Sequence, residues 1–391
     1  MIRPKLFMAL LAGVVLLASG AVAPAGADVI KVGVIAPFSG PFAIWGKQFQ
    51  DGITVYQAQH GTQVDGQTVE FLYRDSGGPN PDVAKSLAQE LLVRERVDYL
   101  GGFVFTPNAL AVAPLIDQSQ TPTVIFNAAT SAINARSPFF LRTGFTLWQV
   151  SVPMAQWAYD QGLRAVATSV SDYGPGLDAE AAFASAFQAR GGVVVDAIRM
   201  PLSSTDFAPF MQRIKASGAD AVFGFLPAGP PTYAFTKAYN DAGLRAAGIG
   251  FLGTGETDET TLDALGDAAL GLNTAYHYSA AHPSSVNKAF INALALHDPR
   301  AVANMASVGA YDGAHLIYEM VAAAKRDGPG AVAAAKGLAW ESPRGPVLID
   351  PETRHITQNV YIRVVDKDAT GRLFNREFAT IEAQPDHGWN R

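Results

Sequence analysis

The chain has 391 residues, no cysteine and a formal net charge of −6 at pH 7. The missing thiols exclude disulfides, cysteine–zinc sites and cysteine nucleophiles, and the acidic balance argues against a nucleic-acid-binding surface. Charged residues make up 16% of the chain, against a usual share of about 25%, which is typical of a compact globule held together by apolar burial.

The first 27 residues have the organisation of an export signal. Arg3 and Lys5 precede an almost wholly apolar run at 6–23, and Ala25-Gly-Ala27 supplies the small residues of a cleavage site. We predict cleavage after Ala27 and a periplasmic mature protein. A retained membrane anchor is the alternative for this run. No cysteine follows it, so a lipid-anchored mature N-terminus is excluded.

The next segment alternates between strand-like and helix-like patterns, which predicts a parallel sheet with helices on both faces. The predicted strands are 29–36, 69–73, 97–105, 122–126 and 139–142. The predicted helices between them are 45–60, 81–95 and 108–118.

The alternation then restarts, which predicts a second doubly wound lobe and a cleft between the two. The alternating segments are 147–161, 165–170, 177–190, 193–199, 207–217, 221–226, 232–242, 249–252, 259–265 and 270–276. In the tail we predict helices at 284–296, 302–325 and 332–338, followed by strands at 361–365 and 374–381.

One motif resembles a nucleotide-binding turn. Residues 174–179 (Gly-Pro-Gly-Leu-Asp-Ala) follow a predicted strand and open a helix, and Asp196 ends the next strand, as in dinucleotide-binding folds. A helix start that needs a tight backbone explains the same residues. Other catalytic motifs are absent from the sequence, and histidines such as His277 and His282 lack metal-ligand spacing. We therefore predict no enzyme activity, no cofactor and no metal.

Loops after the predicted strands carry the candidate binding residues, because open α/β sheets bind ligands at the carboxyl ends of their strands. Trp45 and Phe105 lie in two of these loops, where they either line a cleft or belong to the core. Thr106 and the stretch Ala128-Ala129-Thr130 supply hydroxyl and backbone N–H groups suited to an anion. Helix capping by the two threonines is the alternative, and it is compatible with ligand binding.

At these residues the chain resembles the leucine/isoleucine/valine-binding protein family, the type I periplasmic solute-binding proteins of ABC importers. The resemblance runs from about residue 30 to residue 381. Its markers are Ile-Lys-Val-Gly-Val-Ile-Ala-Pro-Phe-Ser-Gly-Pro at 30–41, Trp45-Gly46, Asp51-Gly52, Arg74-Asp75, Asn127-Ala-Ala-Thr130, Arg142-Thr143, Asp172-Tyr-Gly174, Asp206-Phe207, Asp241-Ala-Gly-Leu244, Gly266-Asp-Ala-Ala-Leu-Gly271 and Tyr311-Asp312.

The resemblance implies an α/β fold of two doubly wound, Rossmann-like lobes joined by three crossovers. We place the crossovers near 143–147, 274–280 and 348–359. The first lobe is then expected to comprise 28–145 and 277–350, and the second lobe 146–276 and 351–391. Members of the family bind a small solute between the lobes and deliver it to a membrane permease, so the expected partner is an ABC permease and the expected state is a monomer.

The resemblance also assigns roles to single residues. Hydroxyl and backbone groups matching Thr106 and Ala128–Thr130 hold a ligand carboxylate. Trp45 and Tyr173 match aromatic residues that face the ligand from the two lobes. Glu256 matches the acid that pairs with a ligand ammonium, with a one-residue slip in Gly253-Thr-Gly-Glu256.

Two departures bear on the ligand. Phe103-Val-Phe105 replaces a run of small hydroxyl residues, and Leu226-Pro-Ala228 replaces a second-lobe tyrosine. Both changes remove polar groups and add apolar surface, so we predict a small carboxylate with an aromatic or bulky apolar body. A hydrophobic amino acid remains the alternative ligand. A sensory ligand-binding domain and a nucleotide-dependent enzyme are alternatives of other classes.

Overall fold

The computed structural model describes Met1, residues 28–227 and residues 229–389. The predicted signal segment spans 1–27, and all of it except Met1 lies outside the described residues, as does Ala228. Within them, no helix is long and apolar enough to cross a membrane. The described chain forms two sheets, flanked by helices, and the predicted two-lobe α/β fold is confirmed.

The first sheet has six strands in the order β2-β3-β1-β4-β5-β6. All neighbours pair in parallel except β2, a two-residue antiparallel strand that the sequence pattern did not reveal. Strand β1 is central and buried on both faces, as parallel strands between helix layers are. The elements are β1 (Asp28–Ala36), α1 (Ala43–His60), β2 (Gln63–Val64), β3 (Gln67–Asp75), α2 (Pro81–Glu90), β4 (Tyr99–Gly102), α3 (Thr106–Ser119), β5 (Thr123–Ile125) and β6 (Phe140–Arg142).

Two helix boundaries of this lobe have local causes. Asn80 caps α2 by accepting from the Val83 N–H (3.2 Å), and the helix continues as a π-helical turn over Leu91–Glu95. Helix α3 begins at Thr106, two residues earlier than predicted, because Pro107 lies in its first turn, where the missing N–H costs nothing.

The second sheet has nine strands. Eight follow the order β12-β13-β14-β11-β10-β9-β7-β8, and β15 pairs with β14. Its parallel half is built from α4 (Leu147–Asp160), β7 (Ala165–Ser171), α5 (Gly174–Ala189), β8 (Val193–Met200), α6 (Ala208–Ala216), β9 (Ala221–Phe225), α7 (Pro230–Asp241), β10 (Gly250–Gly253), α8 (Glu259–Leu265) and β11 (Asn273–Tyr276).

The tail contributes to both lobes. Helix α10 packs on α1 so closely that a Cβ on Gly52 would overlap the Ser307 carbonyl oxygen. The later strands extend the second sheet in antiparallel pairing. The elements are α9 (Ser285–His297), α10 (Met305–Ala324), α11 (Gly328–Ala335), β12 (Ala339–Ser342), β13 (Gly345–Ile349), β14 (Ile356–Lys367) and β15 (Leu373–Gln384).

The β12–β13 hairpin was not predicted. These short strands carry no clear alternation of apolar and polar residues, so only their pairing through β14 reveals them. The hairpin belongs to the second sheet, although the sequence analysis assigned 277–350 to the first lobe. The chain therefore enters the second sheet again at Ala339, ahead of the expected crossover at 348–359. The full division of the chain between the lobes stays a prediction.

Arg344, in the turn of this hairpin, joins parts of both lobes. Its guanidinium is fully buried and donates from Nε to Asp312 on α10 (2.9 Å), from Nη1 to Gln358 on β14 (2.9 Å) and from Nη2 to the Thr143 carbonyl (2.7 Å). Thr143 lies just after β6, where the chain first leaves the first lobe. One side chain thus ties α10, β14 and the first crossover together.

We expect Arg344→Met to destabilise the protein by about 3–5 kcal/mol, because the variant leaves the Asp312 carboxylate buried and uncompensated. Urea unfolding followed by circular dichroism measures the change. The control is Arg190→Met, whose partner Asp160 and guanidinium are both exposed and whose loss is expected to cost less than about 1 kcal/mol. Equal small losses in both variants would contradict the role of Arg344.

Candidate functional site

A cavity lies between the two lobes and encloses about 510 Å³ of space free of protein atoms, counted out to its mouth. Its wall is formed mainly by loops at the carboxyl ends of parallel strands in both sheets, the edge at which open α/β sheets bind ligands. The first-lobe lining residues are Trp45, Val104, Phe105, Asn127, Ala129 and Met305, and the others are Phe145, Tyr173, Pro175, Phe225, Leu226, Pro227, Thr254, Gly255 and Tyr276.

Aromatic side chains form much of the cavity wall. Tyr173 stacks on Phe225, with ring centroids 6.3 Å apart and an interplanar angle of 21°. On another side, the Phe145 ring meets the Tyr276 ring edge-on at 5.0 Å. Flat apolar walls of this kind favour a planar or bulky apolar ligand body over a polar chain.

One end of the cavity is polar. Thr106 and Thr130 follow the lining residues Phe105 and Ala129 in the chain, and their hydroxyl oxygens lie 2.9 Å apart. Among the described residues, the backbone N–H groups of Ala129 and Thr130 have no acceptor. Two hydroxyls and two free amides at the edge of an apolar cavity are suited to a carboxylate.

The second lobe closes on this polar end. A Cβ atom on Gly174, at the start of α5, would lie 3.0 Å from the Thr130 hydroxyl oxygen. A side chain at this position would crowd the Thr130 hydroxyl, which would have to shift by a few tenths of an ångström.

Ala128 has a different part from the one expected. Its N–H donates to the Phe103 carbonyl (2.8 Å) and its side chain is fully buried, so it offers no free donor to a ligand. Phe103 adopts a left-handed backbone (φ 64°), which is uncommon for a residue with a Cβ, and its own N–H donates to the Ile35 carbonyl (2.8 Å). These bonds fix the loop so that Ala129 and Thr130 present the free amides.

Glu256 does not line the cavity, although its neighbours Thr254 and Gly255 do. The carboxylate is buried and accepts from the Thr254 N–H and from the Leu226 N–H (3.3 Å). Burial raises the pKa of Glu256 to about 7, and these backbone hydrogen bonds counteract only part of the increase. Glu256 thus holds two wall segments together through backbone N–H groups.

The glycine-rich turn at 174–179 starts α5. A Cβ on Gly176 would overlap the Ser171 carbonyl oxygen, so glycine is required for close packing of the helix start against β7. Asp196 forms a bidentate ion pair with Arg213 (2.7 Å from Nε). Helix packing and an ion pair therefore account for Gly176 and Asp196.

His277 and His282 contact other side chains of the protein. His282 lies 2.9 Å from the Glu377 carboxylate, and the His277 ring stacks on Phe145. In the described part of the chain, no group of three or more histidine or acidic side chains could hold a metal ion.

Two acids of the second lobe reach across the cleft. Asp178 on α5 accepts from the Ser131 N–H (2.9 Å), and Asp258 accepts from the Met305 N–H (3.3 Å). Burial raises the pKa of Asp178 to about 6. These contacts hold the lobes together on two sides of the cavity.

Four residues of the predicted site line the cavity: Trp45, Phe105, Ala129 and Tyr173. Thr106 and Thr130 do not line it, but they adjoin Phe105 and Ala129 in the chain and contact each other at its edge. The sequence did not predict three lining residues, Phe145, Tyr276 and Met305. Phe145 and Tyr276 lie in segments predicted to connect the lobes, and connecting segments border the cleft, so this position could have indicated those two.

Because the folded protein raises the pKa of Glu256 from 4.5 to about 7, the protonated form contributes stability in full below pH 4.5, and this contribution is lost as the pH rises through 7. We expect Glu256→Gln, which is always neutral, to gain stability relative to the wild type between about pH 5 and about pH 8. Urea unfolding at both pH values measures the gain. Glu382→Gln, at an exposed position, controls for the loss of one charge. If the difference in stability between Glu256→Gln and the wild type does not change with pH, the raised pKa of Glu256 is contradicted.

The sequence matches the family described as periplasmic binding protein over residues 29–370. The chain is 53% identical to Leu/Ile/Val-binding protein homolog 6 of Brucella abortus (strain 2308), over 94% of this chain and 95% of that protein. It is 54% identical to the solute binding protein of an ABC transporter from Rhodopseudomonas palustris HaA2, solved in complex with p-hydroxybenzoic acid. That structure matches with a TM-score of 0.90 over 93% of this chain and 100% of the other.

A second solved structure, the solute binding protein of an ABC transporter from Rhodopseudomonas palustris BisB5 in complex with 3,4-dihydroxybenzoic acid, is 46% identical. It matches with a TM-score of 0.88 over 92% of this chain and 99% of the other. The family matched covers most of the chain and agrees with the resemblance drawn from the sequence. The chain therefore belongs to the periplasmic binding protein family.

Proposed function

We propose that this protein is the solute-binding component of an ABC importer and captures a small aromatic carboxylate, with 4-hydroxybenzoate as the first candidate. The observation that carries the proposal is the pairing of an aromatic cavity with one polar end, at which two hydroxyls and two free amides meet. The relatives named above support the choice, because two of them were solved with hydroxybenzoic acids.

In this proposal the ligand carboxylate binds the hydroxyls of Thr106 and Thr130 and the N–H groups of Ala129 and Thr130. The ring then lies among Trp45, Phe105 and Tyr173, which line the cavity. Hydrogen bonds to an ionised carboxylate are among the stronger ones, and the apolar wall keeps water from competing with them.

An amino-acid ligand fits this arrangement less well. Its ammonium group would need a buried acid, since an unpaired buried charge costs several kcal/mol. Glu256 is the acid that the family resemblance offers, and its two oxygens already accept from the Thr254 and Leu226 N–H groups. Its raised pKa also favours the neutral form over the ion that an ammonium requires.

The proposal includes the route of the protein. Export through the predicted signal and cleavage after Ala27 deliver the mature chain to the periplasm, where it works as a monomer and passes its ligand to an ABC permease in the inner membrane. Closure of the two lobes around the ligand produces the form that the permease recognises.

Isothermal titration with 4-hydroxybenzoate tests the ligand and its contacts. We expect Thr130→Val to weaken binding about tenfold to a hundredfold, because it removes a hydroxyl bonded to a charged group. Glu256→Gln should change the affinity by less than about threefold, because Glu256 does not line the cavity and contacts backbone N–H groups of its own lobe. The matched control is Thr236→Val, the same substitution at a fully buried position on α7 that does not line the cavity, and it should leave the affinity unchanged.

Leucine is the competing ligand in the same titration. Three results together would contradict the proposal: tight binding of leucine, loss of that binding in Glu256→Gln, and no binding of benzoic acids. The protein would then be an amino-acid-binding protein.

The processing site has its own test. We expect the protein recovered from the periplasm to have the intact mass of the chain that begins at Asp28, as the small residues before it form the cleavage site. Electrospray mass spectrometry measures the mass, with the uncleaved chain made without export as the reference. A periplasmic product that retains Met1 would support a membrane anchor.

A further inference from the structure

Arg142, the last residue of β6, lies directly behind the polar end of the cavity. Its guanidinium is fully buried and donates from Nη1 to the carbonyls of Ala128 and Phe145 (3.2 Å to Phe145) and from Nη2 to the Thr130 carbonyl (2.8 Å). Two of the three carbonyls therefore belong to the loop that offers amides to the ligand.

The planar peptide bond turns these contacts into a constraint on the amides. In a trans peptide unit the C=O and the following N–H point in opposite directions. Because the Ala128 carbonyl points to Arg142, the Ala129 N–H points away from Arg142, on the side of the cavity that Ala129 lines. The Ala129 carbonyl accepts from the Leu147 N–H (3.0 Å), so the Thr130 N–H of the same peptide unit points away from Leu147.

Arg142 is itself held by a histidine. Its Nε donates to Nδ1 of His355 (3.0 Å), a residue between β13 and β14. Since Nδ1 accepts this bond, the ring is neutral and carries its proton on Nε2. This nitrogen lies 3.3 Å from an Asp386 oxygen but makes no hydrogen bond with the described residues. Burial and the nearby Arg142 charge lower the pKa of His355 to about 3, so the ring is neutral throughout the physiological range.

Asp386 lies in the segment after β15, near the end of the described chain. Its side chain is 1% exposed and accepts from the hydroxyls of Ser131 and Thr146 (2.8 Å to Thr146). The segment around it is docked, because a Cβ on Gly388 would overlap the Trp148 ring. Asp386 thus bonds the ligand loop to the N-cap of α4, and its charge acts on the neighbouring Arg142–His355 pair without a hydrogen bond to it.

We propose that Arg142 is the positioning residue for the ligand carboxylate, held by its bond to His355, and that Asp386 of the C-terminal segment supports it by its charge and by fixing Ser131 of the ligand loop. The inference rests on the proposed function only in assuming that a carboxylate binds at Ala129 and Thr130. The guanidinium charge lies behind the Ala128–Ala129 peptide unit, so it favours an anion in the cavity as well as orienting the Ala129 N–H.

The experiment compares 4-hydroxybenzoate with its neutral analogue 4-hydroxybenzamide by titration and competition. We expect Asp386→Asn to weaken binding of the acid about tenfold and binding of the amide less than about twofold, because the network acts on an anion through oriented, charge-assisted donors. Deletion of the residues after Gln384 should weaken the acid at least as much. Asp160→Asn, an exposed acid paired with Arg190, is the matched control.

Arg142 itself is tested by two substitutions. Arg142→Met should lower the affinity for the acid more than Asp386→Asn does, and Arg142→Lys should recover part of the loss, since it restores the charge with fewer donors. If Arg142→Met does not fold, as judged by circular dichroism, the Asp386→Asn and deletion results decide whether Arg142 has the positioning role. If the wild type does not bind the amide, the affinities of Arg142→Lys and Arg142→Met for the acid decide it.

The outcomes separate the two proposals. If Asp386→Asn and the deletion leave the affinity for the acid unchanged, or weaken the acid and the amide equally, the positioning role is overturned. If the wild type binds no aromatic acid, the proposed function fails. The same variants are then titrated with leucine, whose carboxylate needs the same amides, so the positioning role is decided independently.

Discussion

A fully buried guanidinium group needs acceptors for its N–H groups, and this need organises the region where the chain passes between the two sheets. Three arginines of the described chain are fully buried there, and each donates to at least one carbonyl of a connecting segment. The pairs are Arg142 with Phe145, Arg344 with Thr143 and Arg363 with Tyr278. These bonds fix the directions in which the connecting segments leave each lobe, and so the place where the cavity forms.

The connecting segments and the cleft are held by different kinds of contact. The connecting segments are held by arginine–carbonyl bonds in the protein interior. Across the cleft, Asp178 and Asp258 accept from backbone N–H groups of the first lobe. The cross-cleft contacts exist only while the lobes are together. A ligand that touches both lobes adds to them and shifts the population toward the closed form.

The charges around the cavity select the class of ligand. Free amides and the buried Arg142 charge favour an anion at one end, while the acid that could pair with an ammonium, Glu256, is occupied by backbone N–H groups. A benzoate needs only the anion site and the aromatic wall. An amino acid needs both charges compensated, and discrimination of this kind is large because unpaired buried groups are costly.

The sequence by itself determined the alternation of strands and helices, the two lobes and the edge at which the cavity lies. It also indicated Trp45, Phe105 and Ala129, because residues just after parallel strands come to one edge of a sheet whatever the details of packing. The family resemblance, and not the position after a strand, indicated Tyr173. It could not reveal the β12–β13 hairpin, whose short strands have no clear periodicity of their own and are stabilised by pairing with β14.

Only the tertiary structure decided which polar groups are free. Ala128 and Glu256 match the expected pattern in sequence, yet hydrogen bonds to Phe103, Thr254 and Leu226 occupy them. The bond from Arg142 to His355 could not be predicted for the same reason. Arg142 and His355 are 213 positions apart, and whether a buried polar group is satisfied depends on atoms that sequence spacing does not bring together.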